Sequence, residues 1–135
     1  MAVTTTPAFA QVPKTYSCIV TAATTVLATT TNHVILLPAA LTNGGLLVRA
    51  WAMPIATNTA SQIVLFRSPD GGTTRYLVGS ILMPAYTLAT TTAVPITDFD
   101  WTYGKPLLLG VADTLYAAAG VDTGDFHVSA DVLAL

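Results

Sequence analysis

The chain has 135 residues, of which 53% are hydrophobic and 9% charged, and a formal net charge of −2. It holds 23 Thr, 21 Ala, 7 Asp and no Glu, and its 5 basic residues (Lys14, Arg49, Arg67, Arg75 and Lys105) are scattered. So apolar a chain collapses rather than staying disordered, offers no basic stripe for phosphates, and lacks the Glu, Lys, Gln and Arg that fill exposed helix faces.

Met1 to Lys14 differ in character from the rest of the chain. They carry Thr4-Thr5-Thr6, Pro7 and Pro13, with no period-2 alternation. Proline removes donors and biases its neighbours to extended backbone. An extended N-terminal arm over 1–14 is therefore expected, followed by one domain over 15–135. Phe9 and Val12 favour an arm docked on a surface over a frayed end. The segment has neither a basic n-region nor an apolar h-region, so synthesis in the cytoplasm without a cleaved signal is expected.

From Tyr16 onward, short apolar or alternating runs recur between turn residues. Strands are predicted at Tyr16–Thr24, His33–Leu37, Leu46–Met53, Ser61–Ser68, Thr73–Leu82, Ala93–Phe99, Pro106–Gly110, Thr114–Ala119 and Asp125–Leu133. Cys18, the one cysteine, reads as a small buried hydrophobe within the first run. In the third, Trp51 shares a parity with Leu47 and Met53 and is expected in the core. Ile63-Val64-Leu65-Phe66 and Tyr76-Leu77-Val78 flank Pro69-Asp70-Gly71-Gly72, which predicts a hairpin apolar on both faces. One face meets the opposite sheet, and a second chain is a candidate to cover the other. The last run alternates strictly, with Phe126, Val128, Ala130 and Val132 inward and His127, Ser129 and Asp131 outward. Eight or nine strands at near-regular spacing predict an all-β, single-domain antiparallel β-sandwich, jelly-roll-like. The longest apolar run, Val34–Leu41, is 8 residues and holds Pro38, against about 20 for a spanning helix. No membrane contact is expected.

Chemistry-bearing residues are sparse. No nucleophile elbow, zinc-protease, P-loop or dinucleotide signature occurs, so an enzyme, a cofactor and a resident metal are not expected. Asp98 and Asp100, beside Phe99 and Trp101, are the local carboxylate pair. They read more simply as a strand running into a turn. Asp125, His127 and Asp131 could present ligands to a divalent ion, but alternation alone demands polar residues there. Trp101 and Tyr103, at a turn with Gly104, form a possible face for stacking on sugar rings.

Two sets of residues carry a likeness to known families. Ser68-Pro69-Asp70-Gly71-Gly72-Thr73-Thr74 resembles the Asp-box hairpin of sialidases and other β-propellers, with Arg75 where that motif has an aromatic. It implies a hairpin and nothing about sugar cleavage. Thr4-Thr5-Thr6-Pro7-Ala8-Phe9-Ala10-Gln11-Val12-Pro13-Lys14 and Leu65-Phe66-Arg67-Ser68-Pro69-Asp70-Gly71-Gly72-Thr73-Thr74-Arg75-Tyr76-Leu77-Val78-Gly79-Ser80 resemble segments of the small head decoration (cement) proteins of tailed bacteriophages. That resemblance implies a non-enzymatic structural protein on the exterior of the virion capsid. Its partners would be the major capsid protein and copies of itself, as a trimer or another homo-oligomer. Val3, Phe9, Val12, Pro13 and Lys14 would lie on the shell or a neighbouring subunit. A low-charge surface fits such burial. The competing expectation is a tail, fibre or head-spike module that binds host glycans through Trp101 and Tyr103.

Overall fold

Nine β-strands and no helix occupy the residues described by the computed structural model, which are 12–24, 30–39, 41–121 and 125–135. The strands are β1 (Val12–Val20), β2 (Val34–Leu37), β3 (Gly45–Pro54), β4 (Ser61–Ser68), β5 (Tyr76–Met83), β6 (Thr97–Asp98), β7 (Leu107–Leu109), β8 (Thr114–Ala119) and β9 (Phe126–Ala134). Sheet A runs β1-β9-β3-β6, with β7 also paired to β3, and sheet B runs β2-β8-β4-β5. All strand pairs are antiparallel.

Taking β6 and β7 as one interrupted strand leaves eight strands in the nested order of a jelly roll. Only β4 and β5 are successive strands paired with each other, joined by the expected hairpin. Apart from the step between β6 and β7, every other connection crosses from one sheet to the other. The chain therefore buries the inner face of both sheets in one core. That core includes Val20, Leu36, Leu37, Leu47, Ile63, Leu65, Met83, Leu115, Phe126, Val128 and Val132. β8 (Thr-Leu-Tyr-Ala-Ala-Ala) is buried throughout, and its small alanines suit a strand covered on both faces.

Strand β1 begins at Val12, so Val12, Pro13 and Lys14 of the expected arm lie in sheet A, opposite Ala134, Leu133 and Val132. Val3 and Phe9 fall outside the described residues. The predicted strand over Ala93–Phe99 shortens to Thr97–Asp98, and β5 starts at Tyr76 rather than Thr73.

Register breaks correct one expectation. Trp51 is not in the core. The pairing of β3 with β9 shifts between Leu47 and Arg49, so Val48 is an extra residue and parity reverses beyond it. Leu47, Ala50 and Ala52 point inward, while Arg49, Trp51 and Met53 point outward. The second face of β4 is also covered within the chain itself. Val64, Phe66, Tyr116 and Ala118 form a small buried cluster on the outer side of sheet B. His33 stacks on Phe66 at 4.6 Å, and the Arg75 guanidinium lies 3.8 Å over the Tyr116 ring.

Candidate functional site

The chain between β6 and β7 folds into a short tongue. Phe99 is anchored in the core, and its N–H donates to the Ala50 carbonyl at 2.8 Å. Trp101 stacks on Phe99 at 5.4 Å and lies across Gly79 of β5, where a Cβ would sit 2.6 Å from Trp101 Cη2. Gly79 is thus the residue that lets the indole close the edge between the two sheets. Thr102 and Lys105 exchange backbone hydrogen bonds of 3.2 and 3.1 Å, which leaves Tyr103 and Gly104 as a two-residue tip. Lys105 Nζ adds a 2.6 Å bond to Asp100 Oδ2 at the base. That ammonium, by hydrogen bond and charge, holds the Asp100 carboxyl below the usual carboxylate range. Tyr103 is 76% exposed, yet it stands on a pinned turn.

Three recesses adjoin along this tongue. The first, about 290 Å³, lies between Gly79 and Ser80 of β5 and Asp100, Trp101 and Lys105 of the tongue. The second, about 280 Å³, is bounded by Val48, Arg49, Asp98, Trp101 and Tyr103. The third, about 160 Å³, lies between Tyr103 and the Lys14, Thr15 and Asp131 side of the sheet. Trp101 lines the first two and Tyr103 the last two. Strand pairing sets the sheet surface beside them. Thr15, Asp131 and Arg49 form one row across β1, β9 and β3, and Ser17, Ser129, Trp51 and Asp98 form the next. Within these rows Thr15 Oγ1 donates to Asp131 Oδ1 at 2.7 Å, and the Ser17 and Ser129 hydroxyls bond at 2.9 Å. Arg49 Nε donates to Asp98 Oδ1 at 2.9 Å, with its guanidinium 4.3 Å over Trp51.

Six of the chain's twelve charged residues line the three recesses: Lys14, Arg49, Lys105, Asp98, Asp100 and Asp131. Three cations meet three anions, so the strip is polar but electrically balanced. Trp101 and Tyr103, singled out in the sequence, are brought together with these charges. Sequence reasoning missed Arg49, and it singled out Asp131 only as a possible metal ligand beside Asp125 and His127. A usable signal existed, since Arg49-x-Trp51 on one strand stacks a cation over an aromatic on the same face.

The other candidates lie apart. Asp98 and Asp100 are each held by a separate cation, Arg49 and Lys105. His127 faces outward beside Ile19 and Met53, and among the described residues no three His, Cys, Asp or Glu groups are placed to hold a metal. Cys18 is buried in β1, and burial pushes its thiol up to about 12. The Asp-box-like loop is an internally bonded turn. Ser68 Oγ donates to Asp70 Oδ1 at 2.9 Å, the Gly72 N–H donates to Ser68 Oγ at 2.7 Å, and the Thr74 N–H donates to Asp70 Oδ1 at 2.8 Å. Those donors, the Thr74 N–H foremost, hold the Asp70 carboxyl below its usual range.

Comparison with known protein families, with characterised proteins and with solved structures finds no match to this chain.

Proposed function

We propose that the chain is a virion structural protein, a decoration or cement protein that docks on the outer surface of an expanded bacteriophage head and stabilises it without catalysing a reaction. The supporting observation is the outer face of sheet B. Leu77 (50% exposed) and Leu82 (68%) project from β5 and Ile35 (51%) from β2, beside the buried Val64–Phe66–Tyr116 cluster. On the same face the Arg75 guanidinium lies over Tyr116, and Gln62 Nε2 donates to Ser80 Oγ. The outer face of sheet A carries Thr15, Ser17, Arg49, His127, Ser129 and Asp131, interspersed with Ile19, Trp51 and Met53. A largely apolar sheet surface opposite a more polar one suits a module with one covered side and one wet side. The partners in this reading are the major capsid protein and further copies of the chain at the same symmetry axes.

The test is co-sedimentation of the purified protein with emptied, expanded heads of the phage that encodes it. Saturable, stoichiometric binding is expected. Introducing charge with Leu77→Asp and Leu82→Asp, both at exposed positions, should weaken it by about tenfold or more. Binding left intact in that double variant, or density on the tail rather than the shell in a virion reconstruction, defeats the reading.

A further inference from the structure

We propose that the three-recess strip along the tongue, from the β5 edge of sheet B to the β1 side of sheet A, binds a neutral, linear oligosaccharide, with successive sugar rings divided by Trp101 and Tyr103. The inference does not rest on the docking reading: the second and third recesses lie on sheet A, and only the first adjoins β5, whose outer face that reading covers.

The chemistry of the strip points to this class of ligand. A pyranose has an apolar ring face and a rim of hydroxyls, each able to donate and accept. It is held by an aromatic surface next to a donor and an acceptor set side by side. Each recess meets that description: Trp101 with Lys105 and Asp100, both aromatics with Arg49 and Asp98, and Tyr103 with Lys14 and Asp131. The Arg49–Asp98 pair uses Nε and Oδ1. Among the described residues the two Nη groups and Oδ2 are left for neighbouring hydroxyls of a ligand. The Lys105–Asp100 pair likewise engages one carboxylate oxygen.

Other ligand classes fit less well. The balance of three cations and three anions gives no attraction for a polyanion. At about 160 to 290 Å³ the recesses are too small and open to enclose a drug-sized ligand, for which about 300 to 1,000 Å³ is typical. They suit shallow subsites that each hold part of a chain. Preorganisation is built in, since the tip carrying Tyr103 is pinned by two backbone bonds and an ion pair.

The test is saturation-transfer NMR and titration of the intact free protein with cellohexaose, maltohexaose and chitohexaose. Glucose serves as the single-ring control and a heparin hexasaccharide as the anionic control. Binding of at least one neutral hexasaccharide is expected, at least about tenfold tighter than glucose, with perturbation of the Trp101 indole N–H. Tyr103→Ala should weaken binding by about tenfold while leaving the thermal midpoint unchanged, because the ring is exposed. Tyr103→Phe should retain it. Asp98→Asn tests the middle recess and should also weaken it. The proposal is overturned if no neutral hexasaccharide binds at millimolar concentration, if only the heparin fragment binds, or if Tyr103→Ala binds as the parent does. None of these results bears on capsid docking, so the two proposals fail separately.

Discussion

At Asp113 a carboxylate is sunk into the end of the core, where Oδ2 accepts from Arg67 Nη1 at 3.1 Å and from the Gly110 N–H at 2.7 Å. It closes a turn that holds Ala112 at φ +58°, a left-handed conformation costly for a residue with a Cβ. Replacing it with alanine orphans the Gly110 donor and releases that turn. A loss of roughly 2 kcal/mol is expected in urea denaturation, because charged hydrogen bonds are worth about 1.5 to 3 kcal/mol and Arg67 is partly solvated. His33 is the residue that responds to pH. Its Nδ1 accepts from Arg75 Nη1 at 2.9 Å, so the ring is neutral with its proton on Nε2, a buried atom with no partner among the described residues. Burial first, and the Arg75 charge second, lower its pKa from the usual 6.5. The unfolded chain thus takes up a proton that the folded chain refuses. Stability is complete above about pH 6.5 and falls as pH drops towards the lower folded-state value. A lower urea midpoint at pH 5.5 than at pH 7.5 is expected, with the difference reduced in His33→Gln. Neither pair was legible in the sequence. Arg67 and Asp113 lie 46 residues apart, His33 and Arg75 lie 42 apart, and composition assigns no partners across such distances.

Among the elements, those whose signal is local were readable. The strict alternation from Asp125 predicted β9 and its inward face, and Pro69-Asp70-Gly71-Gly72 predicted the one true hairpin. Elements that depend on a register break were not. The extra residue at Val48 carried Trp51 from the expected core to the surface, and no feature of Leu-Leu-Val-Arg-Ala-Trp marks where such a bulge falls. The tongue shows the same limit, since Trp101 and Tyr103 could be paired from sequence, but nothing there brings Arg49, Asp131 and Lys14 beside them. Two glycines allow sharp predictions at this scale. Gly72 has φ +101°, and an added Cβ would overlap the Tyr116 hydroxyl that Arg75 covers. Gly72→Ala should cost about 1 to 3 kcal/mol in chemical denaturation, through strain and displacement together. Gly79→Ala would push Trp101 off β5, so a shift in tryptophan fluorescence is expected along with a lower melting temperature.

Across the whole molecule the jelly-roll order joins residues far apart in sequence, with β1 against β9 and β2 against β8. Folding must close those long loops before most of the core forms. Refolding in stopped-flow experiments is therefore expected in the millisecond-to-second range of all-β domains rather than in microseconds. Class and architecture were legible because strand number and turn spacing leave few ways to bury so much Val, Leu and Ala. Which side chains share the outer face of each sheet was hidden, since it depends on which strands end up side by side. The pairing of β1 with β9 has a mechanical side as well. Val12 lies opposite Ala134, so both strands leave the sandwich at the same end. A pull applied between residues 12 and 135 opens this antiparallel pair like a zipper, loading its hydrogen bonds a few at a time. A pull along the strands from opposite ends, for example between residues 12 and 126, loads the whole ladder in shear. In an optical trap the first geometry should yield at much the lower force. If the proposed docking holds, load is best borne by a grip spread across a face rather than by one at Val12 and Leu135.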